Sequence, residues 1–292
     1  MNALENLKKI IPRREATDRI EGQIRTISLC LDPASDEFYN VGMILKTEDI
    51  VSVRMLDHFE RVRCLYDRRV NETDLAFLLH DIENTLMAAP DPFKVDFGPY
   101  IRLSESRYAA GRDANTIIDT FFDSALPLAR LRDNAKRIFR YKTTSKLRSD
   151  MVKDIKLALG AGADRILQEE PFHVNIKGAK IELEIPFVSP VAASGVASAW
   201  YANHLMATNE IFKASSDLHL IGASSDKVES RALSLLRPSA DAGLKKDVFG
   251  RLNLEIEKHL HKLAVSGIEI IESNDTKDLS EKTAAWWRKF AA

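Results

Sequence analysis

Two glutamates separated by one residue are the carboxylates of this chain that are best spaced for joint chemistry. Glu182 and Glu184 alternate with apolar residues in the run KIELEIPFV, and side chains two positions apart on a strand point to the same face. Such a pair would suit Mg²⁺ or Mn²⁺, which lowers the pKa of bound water and stabilises the charge that develops on a phosphate. The same pattern is typical of the exposed face of a half-buried strand, which is the simpler interpretation.

A basic stretch, RLRDNAKRIFRYKTTSKLR at residues 130–148, is the second candidate. It holds eight lysines and arginines and one acid, Asp133, in a chain whose formal net charge is −1. Cations at this density would contact phosphates, and the interleaved rings would contact bases. The candidate nucleic-acid-binding residues are Arg130, Arg132, Lys136, Arg137, Phe139, Arg140, Tyr141, Lys142, Lys146 and Arg148. A plain connection between domains and a contact for a partner protein are the alternatives.

Most sequence signatures of catalysis are missing. His259 and His261 are two residues apart in a helical pattern, which places them on different faces and argues against a metal pair. No G-x-x-x-x-G-K-[ST], G-x-G-x-x-G or G-x-S-x-G motif occurs. The sequence therefore gives no support for a glycine-rich nucleotide-binding loop or for the nucleophilic serine turn of an α/β-hydrolase. The sequence therefore predicts no metal and no cofactor, unless Glu182 and Glu184 bind Mg²⁺ or Mn²⁺.

The elements that would position these residues fall into two domains of an α+β protein. Residues 20–128 are predicted to form an N-terminal domain with a mixed sheet and helices. Residues 129–148 are the basic connecting segment, and residues 149–292 form a C-terminal α/β domain. Gly42 lies inside a strand pattern, which predicts a bulge or a close backbone approach.

In the C-terminal domain the predicted order is helix, three strands, helix and strand, followed by further helices. The three strands are FHVNI, KIELEIPFV and VASAWYA. The next helix is expected at 207–214, the fourth strand at 218–223, and another helix from Val228. Of the two tryptophans near the C-terminus, Trp286 is expected in the core, and Trp287 on the surface as an anchor for a partner or a second copy.

A further pattern of residues runs through the first predicted strands and the helix after them. It consists of Asp32, Glu37, Phe38, Asn40, Val41, Gly42, Arg54, Leu56, Asp57, Phe59, Arg61, Val62 and Arg63. In these residues the chain resembles, over about positions 20–126, a bacterial family of unknown function that is often encoded near HipA-like kinase genes. The resemblance implies a fold and a bacterial or phage setting, and it supplies no reaction.

The C-terminal order of elements is similar to the restriction-endonuclease-like core, in which an acid on one strand and an E-x-K on the next hold a metal ion. Glu182 and Glu184 would be the acids, and Glu169 or Glu170 would add a ligand from the first helix. The following strand, VASAWYA, has neither an acid nor a lysine. The resemblance therefore implies a degenerate core rather than an active nuclease.

Composition narrows the class of protein. Apolar residues make up 45% and charged residues 29%, which is typical of a soluble globular chain. No run approaches the about 18 apolar residues of a membrane span, and two cysteines without a C-x-x-C spacing favour the cytoplasm. The sequence favours a non-catalytic accessory protein that recognises a protein or nucleic acid, in toxin–antitoxin or phage-defence conflict, and it allows a homodimer. A metal-dependent nuclease and a protein-binding inhibitor or antitoxin are the alternatives.

Overall fold

The computed structural model describes residues 19–129, 139–168, 172–176, 178–224 and 228–290. The chain divides into two compact units, residues 1–135 and 136–292. Each unit has a hydrophobic core of its own and contains both helices and sheets, which confirms the predicted α+β class. Within the described ranges, no helix is long and apolar enough to cross a membrane.

The first unit is built on a five-stranded sheet. Its strands are β1 (Ile20–Cys30), β2 (Phe38–Thr47), β3 (Val51–Met55), β4 (Ile101–Leu103) and β5 (Arg107–Gly111). β1 pairs with β2, β4 and β5, and β2 pairs with β3. All of these pairings are antiparallel, so the prediction of a mixed sheet is wrong. The loops that join β1, β2 and β3 are too short for the crossover that a parallel pair needs.

Three helices accompany this sheet: α1 (Glu60–Tyr66), α2 (Glu72–Ala88) and α3 (Ala114–Ala125). The side chain of Asn71 accepts a hydrogen bond from the Thr73 N–H and caps α2, as its residue type predicts. Most of the apolar stripe of α2 is buried in the core of the unit. Leu78, which the sequence pattern places on the same stripe, is 41% exposed.

Gly42 lies beside an irregularity in the sheet, as predicted. The register of β1 against β2 shifts between Ile27 and Ser28, and Gly42 is the partner of Ile27. A Cβ atom on Gly42 would lie 2.3 Å from Sδ of Met55, closer than any real contact. A side chain here would force Met55 to move, and the Arg54 carbonyl oxygen of β3 lies 3.1 Å from the same Cβ position, so the close approach of β3 favours glycine.

In its described residues, the second unit contains six strands and four α-helices. The strands are β6 (Phe172–Ile176), β7 (Ala179–Leu183), β8 (Phe187–Val188), β9 (Ala192–Ser198), β10 (Ser230–Leu236) and β11 (Ile268–Ser273). The helices are α4 (Thr144–Leu159), α5 (His204–Ser224), α6 (Lys246–Val265) and α7 (Thr276–Trp287). The main sheet has the order β11-β10-β9-β8, and β6 and β7 form a separate hairpin. β9, β10 and β11 are parallel, while β8 is antiparallel to β9.

Several predicted boundaries in this unit are wrong. KIELEIPFV forms two strands, β7 and β8, and the strand predicted as VASAWYA ends at Ser198. Residues 218–223, predicted as a strand, belong to α5, and the segment from Val228, predicted as a helix, contains β10. The cause is that a short run of buried apolar residues has no periodicity that separates a strand from a helix.

Trp287 is fully buried, so the prediction of an exposed anchor is wrong. Its Nε1 donates a hydrogen bond to Oγ of Ser194 at 3.0 Å, and its ring centroid lies 6.5 Å from that of Phe187. Trp286 is 3% exposed, as its predicted core position requires. Both tryptophans belong to the core of the second unit, and neither presents a surface to a second copy.

Candidate functional site

The carboxyl ends of three parallel strands meet at one edge of the main sheet in the second unit. Ser198 of β9 pairs with Leu236 of β10, which pairs with Ser273 of β11. The alignment continues one residue further, because the Ala199 N–H donates to the Leu236 carbonyl and the Arg237 N–H to the Ser273 carbonyl, each at 2.8 Å. Open α/β sheets bind their ligands at such carboxyl edges, where the loops diverge.

The described end of the basic segment is attached to this edge. The Lys142 N–H donates to the Trp200 carbonyl at 3.1 Å, and the Ser198 hydroxyl donates to the Lys142 carbonyl. The Ser198 N–H in turn donates to Oγ1 of Thr144 at 3.0 Å. Thr143 is the N-cap of α4 through its side chain. α4 thus begins inside the stretch that the sequence predicts as a connection, and the end of β9 fixes its first residues.

Lys142 is the cation at the centre of this arrangement. Its Nζ lies 3.9 Å from the centroid of the Trp200 ring, which is a cation–π contact. Burial lowers the pKa of Lys142, and the negative charge of Asp275 acts in the opposite direction. Within the part of the chain that the structure describes, no carboxylate lies within 4.0 Å of this ammonium. An aromatic ring, rather than an ion pair, therefore holds the charge in place.

Two other cations of the second unit have carboxylate partners. Nη1 of Arg237 lies 2.7 Å from Glu257 and 2.8 Å from Glu272. Nη2 of Arg148 lies 3.2 Å from Oε2 of Glu184 and also donates to the Glu184 carbonyl at 3.2 Å. Arg148, a candidate nucleic-acid contact, is thus bound to one of the two candidate metal ligands.

The aromatic residues of the basic segment pack against the unit. Phe139 contacts the hydrophobic core, and the Tyr141 ring stacks on Tyr201 with centroids 6.1 Å apart and planes inclined by 14°. Trp200 is 9% and Tyr201 3% exposed. The rings that were expected to contact bases therefore attach the segment to the sheet, whereas the side chain of Arg140 is exposed.

The candidate metal ligands lie away from this edge. Glu182 is exposed on β7 opposite His173, and Glu184, with a side chain 75% exposed, follows the end of β7. The Glu184 N–H donates to Oδ2 of Asp217 at 2.9 Å. In the ranges described above, no group of three or more His, Cys, Asp and Glu side chains is placed to hold a metal ion.

Six of the candidate residues lie outside the described part of the chain: Arg130, Arg132, Lys136, Arg137, Glu169 and Glu170.

A groove of about 520 Å³ lies on the first unit. Its walls are Phe38, Tyr39, Asn40, Arg61, Cys64, Leu65, Pro127 and Leu128. Nδ2 of Asn40 donates to the Ala125 carbonyl at 2.9 Å and so ties the end of α3 to β2. Three residues that carry the family resemblance, Phe38, Asn40 and Arg61, therefore meet in one place.

Sequence reasoning missed Ser198, Trp200 and Tyr201 as site residues. The stretch VASAWYA was assigned to one strand, which would make its aromatic residues ordinary sheet residues. Because β9 ends at Ser198 and α5 begins at His204, Trp200 and Tyr201 lie in a strand-to-helix turn. Their position between a buried strand and a helix was the available signal.

Comparison of the chain with protein-family models, with curated proteins and with solved structures gave no match. The likeness of residues 20–126 to the family near HipA-like kinase genes stays a prediction, as does the likeness of the second unit to a nuclease core. The chemistry that can be assigned to this chain rests on its own residues, of which Lys142 has the most distinctive surroundings.

Proposed function

We propose that the second unit binds nucleic acid through its phosphates, with Lys142 as the central cation and the basic segment as the contact surface. The observation that carries this proposal is the setting of Lys142 at the carboxyl edge of the sheet. Its ammonium lies on the Trp200 ring, and no carboxylate among the described residues pairs with it. A phosphate would supply the opposite charge, and hydrogen bonds to a charged donor are the stronger ones.

In this proposal the protein is a non-catalytic accessory protein of the cytoplasm with two domains. The second domain would be a degenerate restriction-endonuclease-like core. Support for such a core comes from the order of α4, the strands β6 to β9, α5 and β10, which has one strand more than the predicted order. Its degenerate character is supported by β9, whose sequence AASGVAS contains no acid and no lysine. The N-terminal resemblance supports a bacterial or phage setting, such as toxin–antitoxin or phage-defence conflict.

The test is the binding of a labelled single-stranded oligonucleotide to the full chain at several salt concentrations, followed by fluorescence anisotropy. We expect Lys142→Met to lower the affinity about tenfold and to reduce the slope of log K against log salt by about 0.7, as for one lost phosphate contact. Arg148→Met is the matched control, because it removes a cation of the same segment that is already paired with Glu184. We expect it to change the affinity less than about twofold.

Two outcomes would overturn this proposal. Absence of binding to single- and double-stranded DNA and RNA at low salt would exclude the nucleic-acid function. Equal losses of affinity in Lys142→Met and Arg148→Met would show that general positive charge, and not the Lys142 site, carries the binding.

A metal-dependent nuclease is the second candidate, and the two exposed acids at β7 favour it. It predicts cleavage with Mn²⁺ that is lost in Glu182→Gln while binding is retained. Glu182 is the better position to test, because Glu184→Gln would also disturb Arg148. A protein-binding inhibitor or antitoxin predicts neither cleavage nor binding, and a stable complex with one protein.

A further inference from the structure

The ring faces around Lys142 are already in use. The ammonium of Lys142 covers the Trp200 ring at 3.9 Å, and Tyr141 and Tyr201 stack on each other. Trp200 and Tyr201 are both nearly buried, and Phe139 contacts the core. A nucleic-acid base needs an open aromatic face for stacking. All four rings contact the rest of the unit, and the two that keep some exposure, Phe139 and Tyr141, are half-buried, so the open ring surface for a base is limited.

The neutral polar groups beside Lys142 are also engaged with the backbone. The Ser198 hydroxyl donates to the Lys142 carbonyl and accepts from the Trp200 N–H at 3.2 Å. Oγ1 of Thr144 accepts from the Ser198 N–H, and the Thr143 side chain caps α4. Reading a base edge requires donors and acceptors that point to the ligand. The Lys142 ammonium is the charged group beside these side chains, and it has donors but no acceptor, which suits a phosphate oxygen.

Three charged side chains act on Lys142. Lys146 adds a second positive charge, while Asp150 and Asp275 are the carboxylates that act on Lys142. Oδ1 of Asp275 accepts from the Asp278 N–H at 2.9 Å and caps α7. The two lysines and the two aspartates sum to no net charge, so an anion here would depend on direct contact with the Lys142 ammonium, and a dense cluster of phosphates would meet no excess of positive charge.

From this arrangement we infer that the Lys142 site binds a single phosphoryl group and leaves the bases unread. This inference rests on the proposed function and specifies its ligand. The group recognised is a phosphate of a nucleic-acid backbone, and inorganic phosphate carries the same chemistry. Recognition at this site is independent of base sequence.

The experiment compares three ligands on the full chain: a thymidine oligonucleotide, an abasic oligonucleotide of the same length, and inorganic phosphate. We expect the two oligonucleotides to bind with affinities within about twofold of each other. Inorganic phosphate should displace both from the wild type, and chloride at matched ionic strength should displace them less. In Lys142→Met the specific effect of phosphate should disappear. The fluorescence emission of Trp200 should change on phosphate binding. The variant Trp200→Phe is the control, because any change that remains in it comes from Trp286 and Trp287.

The outcomes separate this inference from the proposed function. If the abasic oligonucleotide binds more than about tenfold more weakly, the bases contribute, and the inference fails while the function stands. If the abasic oligonucleotide binds but phosphate displaces it no better than chloride, the protein contacts an extended backbone, and the single-phosphoryl site is wrong. If no oligonucleotide binds while phosphate changes Trp200 emission, the nucleic-acid function fails and the anion site stands. If nothing binds, both fail.

Discussion

Lys142 and Arg148 belong to the same basic segment and have opposite electrostatic surroundings. Arg148 lies 3.2 Å from the Glu184 carboxylate and donates to the Glu184 carbonyl as well. Lys142 lies on the Trp200 ring, and no carboxylate of the described residues is at ion-pair distance. One cation joins α4 to the residue that follows β7, and the other contacts an aromatic ring.

This difference follows from the position of each side chain in the fold. Arg148 lies on α4, where its guanidinium meets a carbonyl and a carboxylate together, a geometry that arginine suits better than lysine. Lys142 precedes the helix, at a strand end with an aromatic ring. The density of positive charge in the sequence would predict the same role for Lys142 and Arg148. This basic segment therefore contains one cation with a structural role and one with a proposed ligand-binding role, and only the tertiary contacts distinguish them.

The largest difference between the two cations should appear in stability. Arg148→Met removes charge-assisted hydrogen bonds of a partly buried side chain, so we expect the free energy of unfolding to fall by about 1–2 kcal/mol. Lys142→Met removes a favourable cation–π contact and also removes a half-buried charge, which is unfavourable. Because the two effects oppose each other, we expect the free energy of unfolding to change by no more than about 0.5 kcal/mol. Urea unfolding followed by tryptophan fluorescence measures this, because all three tryptophans lie in the second unit.

Lys153→Met is the matched control for this comparison, since Lys153 is exposed on the same helix. We expect its effect on the free energy of unfolding to be within about 0.5 kcal/mol. When Glu184→Gln is already present, Arg148→Met should lower the free energy of unfolding by less than it does in the wild type, because the carboxylate partner of Arg148 has been removed. Equal destabilisation by Lys142→Met and Arg148→Met would contradict the assignment of separate roles.

An intermediate effect is expected in the pH dependence of oligonucleotide binding. Because burial lowers the pKa of Lys142, its ammonium loses charge at a lower pH than an exposed lysine, and binding should weaken over that range. Lys142→Arg keeps a positive charge over the ring. It should bind like the wild type at neutral pH and about threefold more tightly than the wild type at a pH just below the ordinary pKa of lysine, about 10.4. Parallel loss of affinity in both proteins would show that other lysines carry the binding.

The first unit was easier to predict from sequence than the second for a physical reason. β2 and β3 have apolar patterns bounded by turn residues, and Gly42 marks the irregularity between β1 and β2. In the second unit, all seven residues of β9 are buried, since a parallel sheet is covered on both faces. Such strands show no alternation, which is why β10 was assigned to a helix and the end of α5 to a strand.

The candidate site was predicted in part. Charge composition identified the basic segment, including both Lys142 and Arg148. It could not show that Arg148 pairs with Glu184, because that contact joins distant parts of the sequence. It also could not show that Phe139 and Tyr141 pack against the unit, because an aromatic residue beside a cation is compatible with either a stacking surface or a core contact.

The smallest effects should appear at two half-buried aspartates, each close to one of the two cations. Burial raises the pKa of Asp217, and the charge of Arg148 acts against this shift. Burial likewise raises the pKa of Asp150, and lysines that include Lys142 act against it. Arg148→Met should therefore raise the pKa of Asp217 further and leave that of Asp150 unchanged. Lys142→Met should raise the pKa of Asp150 further and leave that of Asp217 unchanged. NMR titration of the side-chain carboxyl carbons measures both.

The same shifts predict a direction for stability against pH. A carboxyl group whose pKa is higher in the folded than in the unfolded protein destabilises the fold at neutral pH. It adds stability as the pH falls through the folded pKa toward the unfolded value. Arg148→Met, which raises the pKa of Asp217, should thus recover part of its lost stability on acidification. Lys142→Met should gain stability relative to the wild type on acidification, through Asp150. If Lys142→Met instead shifts the pKa of Asp217, the two cations act in one electrostatic network, and their separation into structural and ligand-binding groups is wrong.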